Sequence, residues 1–178
     1  MNLPNRLTML RVLMIPIFLV LYFIPFCGGL NRYLALAVFL LASFTDFLDG
    51  HIARKYNLVT NFGKLMDPLA DKVLVASALI AMVQLGELAG WAVIVIIARE
   101  FAITGFRMLA LERGAVLAAS KINKYKTVCQ MVLICYILLS LPWPALVADI
   151  LAWLTVAITV ASAADFIWKN RGLMGEKV

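Results

Sequence analysis

The sequence predicts an all-α integral membrane protein with six transmembrane helices, both termini cytoplasmic, and a polar active-site cavity at the cytoplasmic side. Three observations predict it. Of its 178 residues, 64% are hydrophobic and only 15% charged, with a mean hydropathy of +0.96, a balance that cannot supply the polar surface of a water-soluble domain. Charge-free runs recur at Val12 to Asn31, Tyr33 to Thr45, Val73 to Gly86, Leu88 to Ala98, Thr127 to Ala148 and Ile150 to Ala164. Finally, the basic residues segregate along the chain in step with those runs.

Each run predicts one span, and 1–178 reads as a single domain without repeats or low-complexity stretches. Only the first and fifth runs reach the ~20 residues of a simple span, so the others must be completed by residues that carry charge. Those charged helix ends must face protein or water rather than lipid. The first run has no small-x-small cleavage site, and Cys27 follows the bulky Phe26, so a permanent helix is expected there rather than a removable signal. The outer turns are short, around Cys27 to Arg32, Gln84 to Gly90 and Leu141 to Pro144. Cys129 and Cys135 lie in a predicted span with neither a CxxC spacing nor a His partner, which argues against thiolate metal binding and a disulfide framework.

An even number of spans returns both termini to one side. Of the 16 Lys and Arg residues, all but Arg32 then fall on that side: Arg6 and Arg11 at the first span, Arg54, Lys55, Lys64 and Lys72 after the second, and Arg99, Arg107, Arg113, Lys121, Lys124 and Lys126 after the fourth. Lys169, Arg171 and Lys177 close the chain. The positive-inside rule makes the rich side cytoplasmic, and the net charge of +6 gathers beside the anionic inner leaflet. Trp91, Trp143 and Tyr33 lie by the outer turns and Tyr56, Tyr125 and Trp168 by the inner ones, as interfacial anchors do. A bacterial-type inner or cell membrane, crossed several times with the active site facing the cytoplasm, is the expected location.

Against this apolar background stand four carboxylates. On a helix, Asp46, Asp49, Gly50 and Ala53 follow i, i+3, i+4, i+7 spacing and share one face; Gly63, Asp67 and Asp71 repeat at i, i+4, i+8 on the next helix. The segment from Lys55 to Phe62 is long enough for a turn that lets the two faces meet. Pro68 removes one backbone hydrogen bond and is expected to kink or loosen the helix near Asp67, freeing a carbonyl for water, metal or ligand.

Four carboxylates brought together repel one another unless cations intervene. An all-oxygen donor set selects a hard divalent ion, Mg²⁺ or Mn²⁺, rather than zinc, and His51 points away from the acidic stripe. Two such ions are suited to clamp a pyrophosphate. Gly50 and Ala53 admit a close backbone or a flat group, and Arg54 stands ready to pair with phosphate. Alternatively, Gly50, Ala53 and Gly63 serve helix packing. A cation transporter is the remote alternative, disfavoured because Glu87 and Asp149 are the only acids on the outer side.

The series Asp46-x2-Asp49-Gly50-x2-Ala53-Arg54-x8-Gly63-x3-Asp67-x3-Asp71 resembles the signature of the CDP-alcohol phosphatidyltransferases, with every fixed position filled at the family spacing. The resemblance implies a six-helix membrane enzyme in which Asp46, Asp49, Asp67 and Asp71 hold two divalent ions on the donor pyrophosphate. Asp71 would also take the proton from the acceptor hydroxyl, while Asp49, Gly50, Ala53, Arg54 and Gly63 would contribute to the CDP site. Asn5, Thr8 and Arg11 either cap or anchor the first helix or touch the donor head group.

Outside the signature, the segment from Pro4 to Pro16, the segment from Ala98 to Arg107 and the stretch Lys124-Tyr125-Lys126-Thr127 with Gln130 resemble the branch of that family whose acceptor is sn-glycerol 3-phosphate. That branch transfers the phosphatidyl group of CDP-diacylglycerol, giving phosphatidylglycerophosphate and CMP. The acceptor's phosphate needs cations. Arg99 and Arg107, eight residues apart on roughly one helical face, with Lys124 and Lys126 from the following segment, are the candidates. Asn123-Lys124 stands where the family usually has Gly-Lys, a change of local backbone that leaves the charges in place. Glu100 reads as a partner for a neighbouring Arg. Siblings that use inositol phosphate, serine or phosphatidylglycerol are the alternative acceptor classes. The resemblance also implies a homodimer.

Overall fold

The computed structural model describes residues 3–25, 29–55, 61–112, 122–139 and 145–171, and of residues 3–8, 46–55, 61–68, 111, 112 and 145 the backbone only. The described residues form six helices and no strand: α1 Leu3–Phe23, α2 Leu30–Lys55, α3 Asn61–Gln84, α4 Gly90–Glu112, α5 Ile122–Leu138 and α6 Ala145–Lys169. The all-α expectation holds among the described residues, and each charge-free run lies mainly in one helix, except that Val12 to Asn31 runs from α1 into the start of α2 and Thr127 to Ala148 is divided between α5 and α6. The helices outrun the charge-free stretches. α4 continues through Arg99, Glu100 and Arg107, and α3 continues through Pro68. Among the described residues, one helix is long and apolar enough by itself to cross a membrane, Leu146–Lys169 with mean hydropathy 2.0; Met9–Phe23 and Leu30–Thr45 are shorter apolar stretches.

Two turns are described in part. α3 stops at Gln84, and Gly86 adopts φ +73°, the left-handed conformation that ends a helix at low cost in glycine. Gln84 to Gly90 is therefore the turn the sequence predicts. The first turn lies earlier than predicted: α1 ends at Phe23, and α2 already includes Asn31 and Arg32. Gly29, at φ +98°, supplies the break ahead of α2, and the side chains after it return to α1. Asn31 Nδ2 donates to the Leu21 carbonyl at 3.3 Å, and the Arg32 guanidinium lies 5.8 Å over the Tyr22 ring. The predicted turn at Leu141 to Pro144 lies outside the described residues, as do Trp143 and Tyr56.

The chain divides into two compact units. One comprises Met1–Leu85 with Leu138–Leu141; the other comprises Gly86–Ile137 with Pro142–Val178. In the first, α1 packs against α2 and α3, which also touch each other. Ala35, Ala42, Ala70, Ala78 and Ala81 are buried there, and such small side chains let helix backbones approach closely. Larger residues fill what remains: Phe18 is wholly buried, stacked 5.7 Å from Tyr22 and tilted 5.9 Å from Phe39. Arg11, with 0% exposure, donates from Nε to the Ala42 carbonyl at 3.3 Å and ties α1 to α2 one turn before position 46.

In the second unit α4 packs against α6. Trp91 and Trp153 meet at 4.6 Å, and Phe106 stands edge-on to Phe166 at 6.0 Å. Ile96, Leu133 and Ile134 are fully buried. The buried hydroxyls of α6 are satisfied locally. Thr155 donates to the Leu151 carbonyl, Thr159 to that of Thr155 and Ser162 to that of Thr159, at 2.7, 2.6 and 2.9 Å.

Phe18→Ala removes the ring shared by α1 and α2. The expected loss is about 3 kcal/mol, read as a lower thermal unfolding midpoint of the detergent-solubilised protein; an unchanged midpoint contradicts this account of the core.

Candidate active site

The signature acids are carried by the C-terminal part of α2 and the N-terminal part of α3. Positions 46, 49, 50 and 53 lie in continuous helix, as do 63, 67 and 71, so the spacings read from the sequence return each set to one helical face. Side chains of Asp46, Asp49, Gly50, Ala53, Arg54, Gly63 and Asp67 lie outside the described residues, as do those of Asn5 and Thr8. The turn between the two helices falls at 56–60, outside them as well. Asp71 is the acid whose surroundings are seen. Its Oδ2 receives Lys72 Nζ at 3.2 Å, and 34% of the side chain remains exposed. An ion pair this open is worth little in stability, so the pair does not lock the carboxylate. Among the described residues no three His, Cys, Asp or Glu side chains gather as a metal site.

The basic residues predicted to meet the acceptor are not equivalent. Arg99 and Arg107 both lie on α4, and Lys124 and Lys126 both lie on α5. Two residues apart on a helix, the lysines point to different faces: Lys126 is 2% exposed, whereas Lys124 is solvent-facing. Lys126 Nζ and Arg99 Nη1 (2.9 Å) both donate to Oε1 of Glu100, itself 8% exposed. The geometry thus gives Glu100 a second partner beside the neighbouring Arg expected from the sequence, 26 residues further along the chain.

Arg107 takes a different contact. Its guanidinium lies 5.7 Å over the Phe166 ring, a cation–π arrangement available because α6 packs on α4. Arg99 and Phe166 also line one pocket of about 430 Å³ together with Ala98, Ala102, Ile103, Phe106, Ala163 and Ile167. The alanines leave the space and the aromatic and isoleucine side chains make it apolar, with the stem of Arg99 on its wall. Phe166 escapes a reading by charge and motif because an aromatic near the end of an apolar helix looks like any other core residue. Gln130, within the segment that resembles the family, is buried on α5.

Among the described residues the chain is helical, with the acid–glycine signature carried on two helices and a buried cation cluster on two others. The chain belongs to the CDP-alcohol phosphatidyltransferase family, whose model matches residues 1–161. Among its relatives, the CDP-diacylglycerol–glycerol-3-phosphate 3-phosphatidyltransferase of Bacillus subtilis is 44% identical over 95% of both chains. The protein of the same name from Rickettsia typhi is 38% identical over 93% of this chain and 94% of its own. A probable phosphatidylglycerophosphate synthase of Mycobacterium tuberculosis is 39% identical over 93% of this chain and 80% of its own.

Replacing Arg107 with Lys keeps the charge and loses the flat guanidinium stacked on Phe166. A cost of about 0.5–1 kcal/mol is expected in thermal unfolding. The cost should shrink when Phe166→Leu is already present; equal costs in the two backgrounds would show that the stack contributes nothing.

Proposed function

We propose that this protein transfers the phosphatidyl group of CDP-diacylglycerol to sn-glycerol 3-phosphate, giving phosphatidylglycerophosphate and CMP. The carrying observation is the near end-to-end similarity to a relative named for that reaction, 44% identical over 95% of each chain. In this reading all six helices span a bacterial inner or cell membrane, both termini are cytoplasmic, and the chain is one phosphotransferase domain that works as a homodimer. The hydrophobic composition and the one-sided distribution of Lys and Arg support the spans and their orientation, and the homodimer rests on family resemblance.

Asp46, Asp49, Asp67 and Asp71 are the residues that would hold two divalent ions, Mg²⁺ or Mn²⁺. The fit rests on two features: an all-oxygen donor set, and two packed helices, α2 and α3, each carrying its pair of acids at one-face spacing. Bound there, the ions neutralise the pyrophosphate oxygens and the charge that develops on departing CMP. Gly50, Ala53 and Gly63 leave room for the nucleotide beside the helix backbones, Asp49 and Arg54 bind it, and Asn5 and Thr8 attend the donor head group from α1. The acyl chains of the donor stay in the bilayer.

In the reaction, a hydroxyl oxygen of sn-glycerol 3-phosphate attacks the phosphorus that bears the diacylglycerol. The bond from that phosphorus to the bridging oxygen breaks, CMP leaves with the electron pair, and Asp71 takes the hydroxyl proton. Arg99, Arg107, Lys124 and Lys126 supply the positive charge that the acceptor's own phosphate requires. Acceptors without a phosphate leave those cations unsatisfied, which disfavours serine among the alternatives.

Purified protein given CDP-diacylglycerol and labelled sn-glycerol 3-phosphate should form a phosphorylated glycerolipid and CMP. Preference for inositol phosphate, serine or phosphatidylglycerol in the same assay overturns the acceptor assignment. Asp71→Asn should lower CMP release by about 10²–10⁴-fold while the folded protein still binds CDP-diacylglycerol; undiminished release refutes Asp71 as the base.

A further inference from the structure

We propose that Glu100 is a positioning residue for acceptor recognition: it holds Arg99 and Lys126 at the separation that a phosphomonoester needs, and so sets the affinity for sn-glycerol 3-phosphate without touching it. The proposal rests on the reading of Arg99 and Lys126 as cations that take the acceptor's phosphate.

Three features carry it. Glu100 and Lys126 are 8% and 2% exposed, and the Arg99 side chain 8%, so all three charges have been taken out of water. That is costly unless geometry recovers it, and an ion cluster of this kind is a poor device for stability alone. Second, a single carboxylate oxygen receives donors from two helices, Arg99 on α4 and Lys126 on α5. One shared acceptor confines the two nitrogens to within about 6 Å of each other, twice a hydrogen-bond length. Two cations so close would otherwise repel and separate.

Third, the guanidinium is not used up. Nη1 of Arg99 is engaged by Glu100, whereas its Nε is buried and has no hydrogen-bond partner among the described residues. A buried N–H left without an acceptor costs free energy, and the edge of a guanidinium that carries Nε is the planar fork that matches a phosphate. Glu100 cannot itself approach the phosphate, since both are negative; it acts through the two cations it aligns.

The test is steady-state kinetics on purified Glu100→Gln in both substrates. A rise in KM for sn-glycerol 3-phosphate of about tenfold or more, with kcat and the KM for CDP-diacylglycerol within about threefold of wild type, is expected. Because part of the effect passes through Lys126, adding Glu100→Gln to Lys126→Met should raise that KM by less than Glu100→Gln does in the wild-type background; fully additive effects overturn the proposal. So does a Glu100→Gln enzyme with a wild-type KM for sn-glycerol 3-phosphate, or one in which both KM values rise together, as a purely structural role would produce. Should Glu100→Gln not fold, Glu100→Asp keeps the charge but retracts it by one methylene. A KM for sn-glycerol 3-phosphate raised severalfold then supports the proposal, and a wild-type value overturns it. Wild-type protein that fails to use sn-glycerol 3-phosphate defeats the functional reading itself, whereas wild-type turnover with an insensitive Glu100 defeats this proposal alone.

Discussion

Arg11 and Lys126 are long cationic side chains that this fold buries completely, and the position of each is fixed by an oxygen on another helix. Ala42 supplies that oxygen to Arg11 and Glu100 supplies it to Lys126. In a chain with so much apolar surface, a charge that lacks a nearby acceptor has nowhere favourable to go. Each unit therefore has an internal contact that fixes helix position more narrowly than apolar packing does. Apolar packing tolerates small slides, whereas a hydrogen bond to a buried charge does not. The Arg11 contact lies a turn ahead of position 46, and the Lys126 contact lies beside Arg99, so in both units the constraint falls next to residues assigned to chemistry.

Lipid phosphotransfer asks for this combination of greasy frame and few, well-held charges. A donor with two acyl chains and a nucleotide head group needs an apolar phase and a polar one within reach of the same protein. α2 and α3 meet that demand along their own length: α2 is apolar from Leu30 to Thr45 and acidic beyond it, while α3 begins with the acidic segment and becomes apolar after Lys72. The pyrophosphate, the most highly charged part of the donor, would then be handled at helix ends rather than at helix centres, where charge costs most.

Much of the fold was legible because each apolar, charge-free run marks a helix, even where the helix continues past it into charged residues. The turn from Gln84 to Gly90 is marked by Gly86, Glu87 and Gly90. The acidic signature was equally legible, since its spacing works only on helices and both segments are helical. Two features were not. The start of α2 depends on Asn31 and Arg32 finding partners on α1, a contact between residues ten apart that no local propensity announces. The pairing of Lys126 with Glu100 joins positions 26 apart, and spacing alone gave Lys124 and Lys126 the same standing. Only the helical phase of α5 separates a buried lysine from an exposed one. Long-range pairing is decided by packing, and periodicity describes one helix at a time.

The hydroxyls of α6 have a consequence for how the molecule is made. Thr155, Thr159 and Ser162 are buried, yet each gives its proton to a carbonyl of its own helix, three or four residues back. These side chains need no neighbour in order to be satisfied. α6 is also the described helix with the length and hydropathy to enter hydrocarbon alone. The buried hydroxyls of α6 are thus satisfied before it meets α4, and its docking there through Trp91, Trp153, Phe106 and Phe166 can follow insertion as a separate and largely apolar event.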